Sequence, residues 1–164
     1  VNDERAAELI AQIKRAFPPV SKPADVDLVE HPAGCVECAW VENHLRSVPG
    51  PLLPREALRG LHSDMSCLTP AGWRWALPSF LRHCLTGPHD DDLETEYMIY
   101  FLGGVDASQP DAREQLALFD QSQIDCVLRV LEWCSATPQW SEYCAVEIER
   151  AIAFMTCLHN ERQC

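Results

Sequence analysis

The sequence predicts an all-α fold, a single compact domain over residues 1–164 with about six or seven helices. Three observations predict it. Apolar residues recur three and four apart in most segments, and Thr-Pro, Pro-Pro and Gly-Gly pairs punctuate those segments as helix starts and stops. No stretch alternates apolar and polar residues with a two-residue period, so a sheet has no support.

The elements follow in order. Ala6, Leu9, Ile10, Ile13 and Phe17 mark an amphipathic helix over residues 3–17, which Pro18-Pro19 ends. Residues 18–33 read as an extended connection, and residues 31–46 as a Cys-x-x-Cys knuckle running into a short helix. P49-G-P-L-L-P54 is a loop, and R55-E-A-L-R-G-L61 a short helix. Thr69 is an N-cap and Pro70 takes the first helical position of a segment reaching Leu85. Trp73, Leu77, Phe80, Leu81, Cys84 and Leu85 form its buried side, and Pro78 removes the hydrogen bond to the Arg74 carbonyl, so a kink is expected there. The acids from Asp90 to Glu96 precede a helix ending at Gly103-Gly104, in keeping with the helix dipole. Asp120 and Gln123 have capping-box spacing and open a helix to Cys134. Thr137-Pro138 begins the last helix, with Trp140, Cys144, Ile148, Ala151, Ile152 and Met155 on one face.

Composition narrows the function classes. The formal net charge of −12 argues against binding nucleic acid, which needs Lys and Arg to displace phosphate counterions. It disfavours an anionic membrane surface as well. A basic protein partner would suit it, although solubility alone is the plainer account of the same number. No apolar run approaches the ~20 residues of a membrane span, and the charged, helix-patterned start V1-N-D-E-R does not resemble a secretory signal. Nine cysteines in a helical chain of this length read as reduced thiols rather than a disulfide frame, which points to the cytoplasm. Cys84, Cys126, Cys134, Cys144 and Cys157 fall at core-facing spacing, where a free thiol behaves as a small hydrophobe.

The block L68-T-P-A-G-W-R-W-A-L-P-S-F-L-R82, preceded by H31-x-x-x-C35-V-E-C38, resembles a bacterial family of unknown function. Its members pair a cysteine knuckle with a helix carrying an aromatic-Arg-aromatic run before a Leu-Pro step. The chain departs from that pattern with Gly72 inside the helix and Trp at both aromatic positions. The resemblance implies bacterial origin and this architecture, and no activity.

The only stretch with the makings of a chemical site is H31-P-A-G-C-V-E-C-A-W-V-E-N-H44. Two thiolates two residues apart can share one Zn²⁺ from a tight turn, and Gly34 before Cys35 eases the bend. His31, Cys35 and Cys38 supply three zinc ligands. His62 leads as the fourth, because His44 lies on a different helical face from Cys38. A redox dithiol using Cys35 and Cys38 is a second reading, weakened by Glu37 between the thiols and the absence of a βαβ setting. Two semi-buried cysteines in a turn is the third. No H-E-x-x-H, G-x-S-x-G, P-loop, G-x-G-x-x-G or Glu-x-x-His pattern occurs.

The acids Asp90, Asp91, Asp92, Glu94 and Glu96 lack the glycine and alternating oxygens of an EF-hand. They read as a solvated helix entrance or as the face that meets a basic partner. Trp73 and Trp75 flank Arg74 and cannot share a helix face, so one is expected in the core and the other either semi-buried, the plainer reading, or exposed beside Arg74 as an interface residue. Together these features predict a non-enzymatic interaction module, inhibitor- or immunity-like, with a structural zinc knuckle. The alternatives are a zinc hydrolase with an open metal position and Glu37 or Glu42 as general base, and a thiol redox protein.

Overall fold

The computed structural model describes residues 2–30, 34–87, 92–103 and 112–162. Among them are ten α-helical segments: α1 (Asn2–Ala16), α2 (Asp25–Leu28), α3 (Val36–Arg46), α4 (Arg55–Leu61), α5 (Pro70–Thr86), α6 (Leu93–Leu102), α7 (Ala112–Gln115), α8 (Gln121–Ala136), α9 (Pro138–Tyr143) and α10 (Ala145–Glu161). A 3-10 turn, His62–Cys67, joins α4 to the segment before α5. No strand occurs among the described residues, only one isolated antiparallel bridge between Val29 and Leu68.

The all-α expectation stands, but the count of six or seven helices does not. Every expected helix is present. The surplus comes from two four-residue helices, α2 and α7, which are too short to carry a period, and from the division of the last helix. That helix divides at Cys144, whose φ of −127° and ψ of 27° part α9 from α10. The hydrogen-bond ladder runs on regardless, from the Cys144 N–H to the Trp140 carbonyl and from the Ile148 N–H to the Cys144 carbonyl. The buried face therefore continues across the bend, and spacing alone gives no sign of a break.

Caps fix where the long helices begin. The Thr69 hydroxyl accepts from the Gly72 amide at 3.0 Å, with Pro70 next in line. Asp120 and Gln123 form the reciprocal box at the head of α8. Asp92 caps α6 by accepting from the Thr95 amide at 3.0 Å. The Gln123 side chain also donates to the Ala16 carbonyl at 3.0 Å, pinning the end of α1 to the start of α8.

Helix α5 is buried on nearly every side because α1, α2, α4, α6 and α7 all pack on it. Both tryptophans are consequently interior, which removes the exposed, interface reading for either of them and buries both more deeply than semi-buried packing would. Trp73 donates to the Met65 carbonyl at 3.1 Å and stacks on Phe101, while Arg74 between the two rings is exposed. The helix continues through Pro78 without a break. The core runs on through α8 and α10, the most extensively packed pair. Cys84, Cys126, Cys134 and Cys144 are buried there as expected, with the Cys84 and Cys134 sulfurs 3.4 Å apart. Cys157 is exposed instead, since it lies off the α10 stripe of Ile148, Ala151, Met155 and Leu158. No helix of the described residues is long and apolar enough to cross a membrane.

Candidate metal centre

Gly34 adopts a φ of +82°, a left-handed conformation that glycine enters without the Cβ penalty. The turn delivers Cys35 to the N-cap of α3, where its sulfur accepts from the Cys38 amide at 3.2 Å. The same thiol lies 3.5 Å from Glu37 Oε2. Cys38 follows in the first turn of α3 with its side chain facing inward. A third thiol comes from a distant part of the chain. Cys67 closes the 3-10 turn, and its carbonyl accepts from the Glu30 amide at 2.7 Å. The Thr69 amide donates back to the Leu28 carbonyl at 3.2 Å, so the two segments run side by side.

The result is a cluster in which the sulfurs of Cys35, Cys38 and Cys67 all lie within 4.8 Å of one another. Ligand sulfurs on a tetrahedral zinc, at ~2.3 Å from the metal, stand ~3.8 Å apart, so small side-chain rotations complete the geometry. These three residues could hold a metal ion. The electrostatics agree. Burial pushes the Cys38 thiol well above its ordinary value, and the neighbouring Cys35 and Cys67 sulfurs push it further. Burial raises Cys67 as well, and Cys35 adds to the rise. Cys38 and Cys67 thus both resist ionising, chiefly through burial, and a divalent cation among the three sulfurs would oppose that resistance.

A second group, His83, Asp92 and Glu94, also has ligand atoms close enough to hold an ion. Its groups are already occupied. His83 Nε2 lies 3.0 Å from Asp92 Oδ1, and Asp92 Oδ2 accepts from the Thr95 hydroxyl at 2.7 Å. Burial opposes the Asp92 charge, but the bonds from His83 and Thr95 prevail and hold its carboxyl below the usual range. Glu94, fully buried, pairs with Arg59 at 3.1 Å and Arg55 at 3.6 Å. The longer separation is a Coulomb contact and not a hydrogen bond, so Glu94 Oε1 lacks a donor. Two guanidinium charges beside it oppose a divalent cation there. The thiol cluster is the better metal site.

The residues expected from sequence separate accordingly. Cys35 and Cys38 come together, and His31 lies outside the described residues, as do Asp90 and Asp91. His62 is not in the thiol cluster: its Nδ1 meets the Arg59 carbonyl and its ring abuts Tyr97 edge-on at 4.7 Å. His44 stacks on Trp40 at 4.9 Å, with Nε2 3.2 Å from the Ala57 carbonyl. Asp92 and Glu94 point inward and do not present charge to a partner. Glu96 is half-buried and accepts from the Tyr100 hydroxyl at 2.8 Å. Cys67 is not among the ligands that spacing near Cys35 and Cys38 suggests. Between Cys38 and Cys84 it is the sole cysteine, and unlike the five assigned to the core it falls outside any helical pattern. That combination was the available signal.

The chain belongs to the family of unknown function DUF6714, which it matches over residues 47–155. Cys67, α5 and the His83–Asp92–Glu94 group lie within the match, whereas Cys35 and Cys38 precede it. No curated protein and no solved structure matches the chain.

Proposed function

We propose that this chain is a non-enzymatic binding protein in which the start of α3 is tied to the 3-10 turn by one structural zinc ion on Cys35, Cys38 and Cys67, with His31 as the fourth ligand. The observation that carries the reading is the convergence of three thiols from two segments that are far apart in sequence. His31 stands four residues before Cys35 and directly after Glu30, whose amide is bonded to Cys67. Three sulfurs and one imidazole are a common closed zinc set, which leaves no position for a reacting water. The redox alternative needs a thiol of lowered pKa, and the Cys38 thiol is displaced upward.

Elemental analysis of the purified protein tests the reading. The expected result is about one zinc per chain, lost in Cys67→Ser and reduced in His31→Ala. A zinc-free protein, or zinc unaffected by Cys67→Ser, overturns it. Full zinc in His31→Ala, with a titratable bound water, would return the site to an open, hydrolytic one.

The partner is a basic protein, favoured by the net charge of −12 and met by exterior carboxylates other than Asp92 and Glu94. Affinity capture at low ionic strength should recover a basic protein that elutes as salt rises above roughly 0.3 M. Recovery of acidic or neutral partners alone, indifferent to salt, would count against it.

A further inference from the structure

Acids outnumber Lys and Arg by 25 to 13 in this chain, yet one concavity collects only the minority charge. A cavity of about 360 Å³ opens between the end of α1, the segment that follows it, the Pro51-Leu52 loop and one side of α5. Phe17, Pro18, Pro51, Trp75 and Pro78 furnish apolar walls. Lys14, Arg74 and Arg82 also line it, and no Asp or Glu is among the described lining residues. None of the three cations forms an ion pair of contact distance among the described residues. Arg74 does help hold the Asp120 carboxyl low, after the stronger bond from Ser122.

One further feature marks the cleft. A second cavity of about 220 Å³ shares Leu52 and Arg82 with the first and adds Arg55 and His83, again with no described acid in its lining. Arg82 thus stands where the two meet. A small cavity with apolar walls and a few convergent charged groups is the usual form of a small-molecule site.

We propose that this cleft binds a small amphipathic organic anion, a carboxylate carried on an aryl or branched-alkyl body. The carboxylate sits between Arg74 and Arg82, and the body lies against Trp75 and the prolines. Charge complementarity selects the head, since cations in an otherwise acidic molecule leave this concavity as the favoured place for an anion. The apolar walls select against inorganic phosphate, which offers them nothing to cover.

Isothermal titration with 4-phenylbutyrate as probe, alongside its neutral amide and inorganic phosphate, tests the assignment. The carboxylate should saturate one site, and the amide should bind about tenfold more weakly. Phosphate should neither bind measurably nor compete. Arg74→Gln and Arg82→Gln should each weaken the carboxylate by roughly three- to tenfold, with the thermal midpoint unchanged because neither side chain is buried. The indole N–H resonance of Trp75 should move on titration. Equal affinity for the amide, competition by phosphate, an unchanged affinity in the double Arg variant, or no saturation by about 5 mM would each overturn the proposal.

Discussion

At Gly72 the carbonyl of Leu28 lies 2.3 Å from the place a Cβ would occupy. A glycine inside a helix costs about 1 kcal/mol against alanine, so Gly72→Ala gains that much in helix propensity. The clash opposes it, and the obstacle is backbone that cannot rotate aside. The Leu28 carbonyl already accepts from the Thr69 amide at 3.2 Å, and Thr69 caps α5 through Gly72 itself. Overpacking of this kind costs about 1–3 kcal/mol, more where backbone must shift. Because the obstacle is backbone the cost falls at the upper end of that range, and Gly72→Ala should lower stability by about 2 kcal/mol in a denaturant titration. A variant as stable as the parent would mean that α2 does not approach α5 this closely. The same local crowding accounts for a residue that looked out of place in the sequence: Gly72 is where the strip joining α2 to Cys67 meets the central helix. Cys67 is the converse case, ordinary in sequence and consequential in space. Nothing within a few residues of it marks a ligand, because its two companions lie about thirty positions upstream and are brought to it by tertiary contacts, the pairing of Glu30 with Cys67 among them.

Element by element, legibility followed the range of the interaction that sets each boundary. Thr69, Asp92 and Asp120 bond to amides three positions ahead, so side chain and target belong to one short window of sequence. Long helices with one wet face announced themselves by period, as α1 and α8 did. Helix α5 was found in extent but misjudged in exposure. A period describes a helix with one buried face, and neighbours on most sides of α5 cover Trp73 and Trp75 together. Asp92 and Glu94, at the head of α6, differ from expectation for a related reason. Sequence alone places them at a helix entrance, where solvent is the usual neighbour. The arginines of α4 are brought to Glu94, and His83 of α5 to Asp92, by tertiary packing alone. The burial of Asp92 and Glu94 makes these two acids internal ties between α4, α5 and α6.

Across the whole molecule, packing is uneven. Helices α1, α5, α6, α8 and α10 share one continuous core, with α8 against α10 its densest contact. Helix α3 packs mainly on α4 and the 3-10 turn, with a smaller contact to α2, and Cys38, Val41 and Leu45 carry its buried face into the core at its margin. A metal at the thiols would therefore govern a region and not the entire fold. Structural zinc sites commonly supply the free energy that small elements lack on their own. Local opening can proceed while a separate core stays closed. Treating the protein with a zinc chelator should accelerate amide hydrogen exchange in α3 and the 3-10 turn by at least about tenfold, while amides in α8 and α10 keep their protection. Cys35→Ser should reproduce that pattern without chelator. Uniform loss of protection through α8 and α10 would show the cluster to be a keystone of the global fold. Unchanged exchange in α3 would show that the thiols hold nothing, and that the apolar packing of Val41 and Leu45 suffices to fasten α3.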